Sequence, residues 1–357
     1  MTFTKINVKL VKYFTKNMKD VHGGFAIVAT IKDVAEKAGY SISTVSRVLN
    51  NDESLSVPDE TREKIFEVAE SLNYRKKTIR TLVKNIAFLY WLTDKEELED
   101  VYFKTMRLEI EKLAKQFNVE LTTYKISGGI DAIPENIEGF IAVGSFSDDE
   151  LNRLRQMTPH GVFIDSTPDP NHFDSVRPDL KQMTRKTVDF LIEKGHEKIG
   201  FIGGTYHNPN TDEDEMDVRE RTFRDYMREK GLLEEGFIFC RRGFSVENGY
   251  HLMDEAVETL GEKLPTAFFT AADPIAVGCL QALNEKGVAI PGRVSVISIN
   301  NISVAKYVSP PLTTFHIDIK ELCKNAIELL LEQILEKRKA VKTLYIGAEL
   351  VVRKSTN

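Results

Sequence analysis

The stretch from Thr30 to Asn50, TIKDVAEKAGYSISTVSRVLN, is the part of this 357-residue chain that most constrains its fold. The pattern predicts two short helices joined by a tight turn, in which Thr30 caps the first helix, Gly39 ends it and Ser41 caps the second. Apolar residues recur at helical spacing in both halves, so each helix has one face to bury. The other face of the second helix carries small polar side chains and Arg47. Such a face suits the DNA major groove, where short polar groups and an arginine can read base edges.

A third helix is predicted after a polar loop. Pro58, followed by two acidic residues, is typical of a helix start. The apolar residues that follow have i, i+3, i+4, i+7 spacing, which is enough to close a small three-helix domain; they are Ile65, Val68, Ala69 and Leu72. We therefore predict a helical headpiece over residues 28–74.

These residues resemble a known family. The run D-V-A-x-x-A-G-x-S-x-x-T-V-S-R-V-L-N from Asp33 to Asn50, continued by TREKIFEVAESLNY over 61–74, is similar to the helix-turn-helix headpiece of the LacI/GalR family of bacterial transcription regulators. The resemblance extends through the rest of the chain. Pattern and resemblance together assign DNA binding to ten residues. They are Thr30, Ser41, Ile42, Ser43, Thr44, Ser46, Arg47, Asn50, Thr61 and Leu82.

Two of these residues have a role that does not depend on base sequence. Asn50 and Thr61 match family positions that contact the DNA backbone, and such contacts fix register. The connector RKKTIRTLVKN, residues 75–85, holds five bases and no acid within 75–84. The resemblance implies a hinge helix here that places Leu82 in the minor groove. However, the connector is shorter than usual and lacks the family's alanine-rich pattern, so a plain linker stays open.

Residues 1–27 precede the family's usual start, near Ala29. They contain five lysines and one acid and have no continuous apolar core like that of a secretory signal. A basic arm is one interpretation. We favour a disordered extension or a mis-called start codon, with Val28 as an alternative start.

From residue 86 onward, apolar runs alternate with helical patterns. The runs IAFLYWL, GFIAVG, GVFID, KIGFIGG, TAFFTAAD and VSVISIN predict buried strands. This alternation is typical of parallel sheets flanked by helices. The predicted fold is therefore α/β, with an N-terminal helix-turn-helix headpiece and, by resemblance, a two-subdomain core like a periplasmic binding protein. The predicted subdomains of the core, 86–357, are 86–176 with 319–338, and 178–313 with 341–357.

In such folds, ligands bind at the carboxyl ends of the strands. Six residues near strand ends, or at positions matching the family, are predicted to contact an effector: Trp91, Asp165, Arg219, Phe244, Asp273 and Asn300. Arg219 matches the family arginine that holds the effector, with Arg221 as its nearby alternative, and Phe244 matches a packing aromatic. Most relatives have an aspartate where this chain has Asn300, so a charge-assisted hydrogen bond is lost there.

The sequence gives little support to an enzyme. The glycines of IGFIGG do not have G-x-G-x-x-G spacing, and YHNP follows where a helix should start. Cys240, Cys279 and Cys323 lie far apart without metal-ligand spacing, as expected for free thiols of a cytoplasmic protein. We predict no catalytic residue, no cofactor and no metal site, and no run is long enough to span a membrane.

The predicted function is transcriptional repression controlled by a small sugar. One headpiece reads only half of a near-palindromic operator, so we expect a homodimer. NDESL, FIGG, DVRERTF, RGFS and SIN together resemble repressors of galactose and β-galactoside genes, which implies galactose or a galactoside as the effector. Two alternatives stay open: a catabolite-control regulator with a phosphorylated carrier protein as corepressor, and a sugar-binding protein that does not regulate.

Overall fold

The computed structural model describes residues 29–49, 52, 55–72, 74 and 82–357. The chain divides into two units, residues 1–81 and 82–357. Predictions for residues 1–27, for Asn50 and for a hinge helix over 75–81 lie outside the described residues.

Three helices form the first unit: α1 is Ile31–Ala38, α2 is Ile42–Leu49 and α3 is Asp59–Ser71. Thr30 and Asp33 cap α1 reciprocally: the Thr30 N–H donates to the Asp33 carboxylate at 2.6 Å, and the Thr30 hydroxyl oxygen accepts from the Asp33 N–H at 3.4 Å. Gly39 follows α1 in the left-handed conformation, with φ of 80°. The predicted helix-turn-helix is confirmed, and its core contains the apolar residues Val34, Ala35, Ala38, Val45, Val48, Leu49, Ile65 and Ala69.

The second unit contains two sheets. Its strands are Val83–Trp91 (β1), Val119–Lys125 (β2), Gly139–Gly144 (β3), Gly161–Ile164 (β4), Asp174–Pro178 (β5), Ile199–His207 (β6), Asp214–Met216 (β7), Ile238–Arg242 (β8), Ala267–Thr270 (β9), Ser295–Asn300 (β10), Thr313–His316 (β11), Thr343–Ile346 (β12) and Glu349–Val351 (β13). Its longer helices are Asp94–Glu99 (α4), Val101–Gln116 (α5), Asp148–Met157 (α6), Leu180–Glu193 (α7), Val218–Glu229 (α8), Val246–Leu260 (α9), Asp273–Glu285 (α10) and Ile319–Leu335 (α11).

The strand order gives each subdomain its own sheet. The first sheet runs β12-β5-β4-β3-β1-β2, and all of these neighbours are parallel. The second runs β13-β11-β10-β9-β6-β7, with β8 on β6, and only β7 and β13 pair antiparallel. The predicted α/β architecture is confirmed. The inner strands β3, β4, β9 and β10 are buried along nearly their whole length, as expected for parallel strands with both faces covered.

Two predicted boundaries need correction. The second unit begins at Leu82 and its first strand at Val83, not at residue 86. Residues 343–346 were predicted in the second subdomain, but β12 pairs in parallel with β5 of the first sheet. Polar contacts attach it there: the Lys342 N–H donates to Asp174 at 2.7 Å, and Ser175 donates to Thr343 at 3.1 Å. An apolar pattern predicts a strand but does not show which sheet edge it joins.

Among the described residues, none of the helices has the length and apolar character needed to cross a membrane. The same residues bring together no group of three or more histidine, cysteine, aspartate or glutamate side chains that could hold a metal ion.

Candidate functional site

The exposed face of α2 is the candidate DNA-reading surface. The Ser41 hydroxyl oxygen accepts the Thr44 N–H at 3.0 Å and lies 2.8 Å from the Thr44 hydroxyl, so Ser41 caps this helix. Val45, Val48 and Leu49 are buried against the rest of the headpiece. Their burial turns Ser43 and the half-exposed Ile42 outward, together with parts of Thr44, Ser46 and Arg47.

Arg47 lies on this face in an ion pair that was not predicted. Its Nε donates to Asp52 Oδ2 at 2.7 Å, and the two side chains are 42% and 33% exposed. Ion pairs at this level of exposure contribute little stability, so the Arg47–Asp52 pair can be broken at small cost.

The other predicted DNA contacts are placed as follows. Thr61 is partly buried in α3, with its hydroxyl 3.4 Å from that of Tyr40. Leu82 is 47% exposed and directly precedes β1, outside any described helix.

In the second unit, Arg219 is the centre of a buried polar group. Asp217 caps α8, and its carboxylate accepts from Arg219 Nε at 2.7 Å and from Nη2 at 2.9 Å. Nη1 donates to the Ala271 carbonyl at 2.8 Å. Arg219 is 5% exposed and Asp217 is 2% exposed. Burial alone would lower the pKa of Arg219, but the charge and hydrogen bonds of Asp217, together with Tyr206 and Asp165, outweigh burial. The pKa is therefore raised and the guanidinium stays protonated.

Two aromatic residues contact this arginine, one through its ring and one through its hydroxyl. The Phe244 ring centre lies 4.9 Å from the guanidinium carbon, in the range of a cation–π contact. Tyr206, near the end of β6, packs on Phe244 with ring centres 4.7 Å apart, and its hydroxyl accepts from Arg219 Nη2 at 2.8 Å. Phe244 was predicted, whereas Tyr206 and Asp217 were missed. The Asp217 signal was present as a helix-capping aspartate two residues before Arg219.

Carboxylates from the first subdomain approach the same arginine. Tyr102, near the start of α5, donates to Asp165 at 3.3 Å. Burial raises the pKa of Asp165, while the charges of Arg219 and Arg177 oppose that rise. Burial likewise raises the pKa of Asp100 to about 6, and Arg219 again opposes it. Asp165 of the first subdomain and Arg219 of the second therefore interact electrostatically across the cleft between the subdomains, and their role as effector contacts stays a prediction. Arg177 adds a second guanidinium that was not predicted.

Asp273 and Asn300 lie at the second subdomain's side of the cleft. The Asp273 carboxylate is fully buried and accepts from the Ile302 N–H at 2.8 Å and from the Thr314 hydroxyl at 2.7 Å. It therefore holds the loop after β10. Asn300 ends β10 with φ of 120°, a backbone conformation that most residues avoid. It lines a pocket of about 330 Å³ that Tyr102 also lines.

Trp91 does not join this group. It is 2% exposed and stacks on Phe146 at 5.2 Å, and its indole N–H donates to Glu150 at 2.7 Å. The prediction that Trp91 contacts an effector is therefore wrong for this position of its side chain, whereas Phe244 lies beside Arg219. Trp91 ends a strand, as expected, but its side chain points into the core under α6.

The first unit is a helical headpiece with a polar exposed face, and the second is an α/β core with a polar cleft between its two subdomains. This combination defines a class of ligand-responsive DNA-binding regulator. Comparison with known proteins identifies the family. Residues 30–77 match the family described as bacterial regulatory proteins, lacI family, and residues 188–356 match the periplasmic binding protein-like domain.

This chain belongs to the LacI/GalR family of transcriptional regulators. It is 78% identical over 330 residues to the HTH-type transcriptional regulator GanR of Bacillus subtilis (strain 168), covering 92% of this chain and 100% of that protein. It is 37% identical to the HTH-type transcriptional regulator LacR of Lactobacillus helveticus, covering 91% of this chain and 98% of that protein. The chain is therefore a helix-turn-helix transcriptional repressor of this family.

Solved structures agree in fold. A transcriptional regulator CelR–cellobiose complex matches with a TM-score of 0.65 and 21% identity, covering 92% of this chain and 99% of that one. The lac repressor dimer bound to operator and the anti-inducer ONPF matches with a TM-score of 0.63 and 22% identity over the same shares of the two chains.

Proposed function

We propose that this protein is a homodimeric, cytoplasmic repressor that binds operator DNA through α2 and responds to a neutral sugar, galactose or a galactoside. The observation that carries the effector proposal is the Arg219 group, in which a fixed guanidinium, two aromatic rings and several carboxylates meet in one cleft. A sugar presents hydroxyls and apolar ring faces, so its site needs hydrogen-bond partners and an aromatic wall.

The charges around Arg219 favour a neutral ligand. Asp217 already takes two of its hydrogen bonds, and the Ala271 carbonyl takes another. Asp100 and Asp165 add further negative charge nearby. A phosphate would compete with these carboxylates for the guanidinium. A sugar hydroxyl can instead donate to a carboxylate and accept from an arginine N–H.

One unpaired polar atom near the cleft supports the same interpretation. Among the described residues, Arg177 Nε is a buried side-chain atom with no hydrogen-bond partner, and the charge of Arg177 acts on Asp165. Buried polar groups are normally paired, so this N–H is a candidate donor to a ligand hydroxyl.

The effector experiment is a thermal-shift panel of neutral sugars and their phosphates on the full chain. We expect galactose or a galactoside to raise the melting temperature, because a ligand that binds only the folded state stabilises it. The matching sugar phosphate should give a smaller shift. A larger shift with the phosphate would contradict the charge argument.

The DNA experiment compares Arg47→Ala with Lys37→Ala. Both variants remove one positive charge from the headpiece, but Lys37 donates to Ser71 on α3 at 3.0 Å and lies outside the reading face. We expect Arg47→Ala to cost about 1–3 kcal/mol on the preferred operator and to relax base choice. An equal loss on operator and random DNA would show that Arg47 contacts only phosphate.

A further inference from the structure

A pair of hydrogen bonds joins the two subdomains at the rim of the cleft. The Asp148 N–H, at the start of α6 in the first subdomain, donates to Asn210 Oδ1 at 2.8 Å. In return, Asn210 Nδ2 donates to Asp148 Oδ1 at 3.2 Å. Asn210 lies in the turn between β6 and β7 of the second subdomain. The contact therefore spans the cleft and is reciprocal.

The turn that carries Asn210 is well bonded within itself. The Asn208 N–H donates to the Glu213 carbonyl at 2.8 Å, and the Asp212 N–H donates back to the Asn208 carbonyl at 2.9 Å. The Asn208 side chain also accepts from the Asn210 N–H at 2.8 Å. These bonds hold Asn210 in position. A displacement of Asn210 is therefore transmitted to the strands of the hairpin.

The same hairpin reaches the Arg219 group. Tyr206 pairs with Glu215 in the antiparallel register of β6 and β7, and its hydroxyl accepts from Arg219. Three residues separate Tyr206 from Asn210 along the chain. One hairpin thus carries an aromatic residue of the candidate effector site at one end and the cross-cleft contact at the other.

We propose that Asp148 and Asn210 form a latch that holds the two subdomains together across the cleft, with the β6–β7 hairpin as its moving part. Both residues are exposed, so water competes for their hydrogen bonds and the latch is weak enough to open. Opening admits a ligand to the Arg219 group, and reclosing retains it. The role in ligand retention depends on the proposed function, whereas the closure itself does not.

A charge-exchange set of variants isolates the latch. Asn210→Asp places two carboxylates opposite each other and removes the side-chain donor. Asp148→Asn keeps an acceptor for Asn210 Nδ2 and should leave the latch intact. The double variant Asp148→Asn with Asn210→Asp restores a donor–acceptor pair with the roles exchanged. Thr211→Ala is the matched control. It removes a hydroxyl that accepts from the Glu213 N–H within the same turn, and it leaves both hydrogen bonds between Asp148 and Asn210 in place.

Closure can be measured without any ligand. The exchange rate of the Asp148 amide hydrogen is one measurement, because the latch hydrogen bond protects this amide from exchange. Trp91 is the only tryptophan of the chain, and it donates to Glu150, two residues after Asp148. Quenching of its fluorescence by acrylamide therefore reports loosening of α6, the helix that Asp148 begins.

We expect exchange at Asp148 to be about tenfold faster in Asn210→Asp, since one hydrogen bond is lost and a repulsion is added. Trp91 quenching should rise in the same variant. Asp148→Asn, the double variant and Thr211→Ala should match the wild type in both measurements. Wild-type behaviour of Asn210→Asp, or a double variant that does not recover, would overturn the latch.

Galactose then serves as the ligand probe. We expect its dissociation rate to rise about tenfold in Asn210→Asp and to recover in the double variant. An unchanged dissociation rate would overturn the role of the latch in ligand retention. If galactose binds none of the proteins, the proposed effector is wrong, while the ligand-free measurements still decide whether the latch exists.

Discussion

At the scale of single residues, the Arg219–Asp217 pair is a buried ion pair in the candidate site. Removing one partner of a buried ion pair leaves an uncompensated charge. We therefore expect Arg219→Ala to lower the free energy of unfolding by about 3–5 kcal/mol, measured by urea denaturation. Arg221→Ala, at an exposed position two residues on, is the control and should change stability little. Equal, small effects of both variants would contradict the buried pair.

Asp273 provides a pH-dependent test at the same scale. Burial raises its pKa to about 7, well above its value of about 3.9 in an unfolded chain. The folded protein then binds this proton more tightly, so its contribution to stability falls as pH rises from about 4 to about 7. We expect Asp273→Asn to reduce this fall by on the order of 2–4 kcal/mol, while exposed Asp131→Asn leaves it unchanged. The measurement is the free energy of unfolding from urea denaturation across this pH range. The same dependence on pH for the wild type and both variants would contradict the role of Asp273.

The sequence predicted part of the site at this scale. Asp165 follows a strand end, so topology predicts its place at the cleft, whereas Arg219 and Phe244 were predicted from their match to family positions. Tyr206 and Tyr102 were missed because a tyrosine within a strand or a helix has no local signal of the partner it meets across the fold. Trp91 shows the converse case, since a residue at a strand end can still turn its side chain into the core.

At the scale of elements, the turn between α1 and α2 determines how these two helices of the headpiece are joined. Gly39 has φ of 80°, where an alanine side chain is strained. We expect Gly39→Ala to lower headpiece stability by about 1–2 kcal/mol. The readouts are calorimetric melting and operator affinity. Gly236→Ala is the control, since that glycine has negative φ and open space at the Cβ position. No difference between the two variants would show that the turn adapts to alanine.

The strands themselves were predicted better than the pairing between them. The strands were recognised because both faces of a parallel sheet are buried and read as apolar runs, such as Phe140 to Val143. The sequence did not predict which sheet β12 joins. That choice depends on polar contacts with Asp174 and Ser175, which are far from β12 in sequence.

At the scale of the whole molecule, the first point to test is whether residues 1–27 contribute to stability or DNA binding. They carry five lysines and precede the segment that resembles the family. We expect a chain beginning at Val28 to keep the melting temperature, the operator affinity and its salt dependence. A shallower dependence of operator affinity on salt after truncation would show instead that these lysines contact phosphates.

The central claim is that a sugar bound at the Arg219 group controls operator binding. Phe244→Ala tests it better than Arg219→Ala, because it removes the aromatic wall and keeps the buried ion pair. The measurement is an operator titration with and without galactose, for the wild type and Phe244→Ala. We expect galactose to change wild-type operator affinity at least about fivefold. The variant should have the same ligand-free affinity and lose this response. A variant that responds at the wild-type galactose concentration, or a wild type that does not respond, would contradict the account.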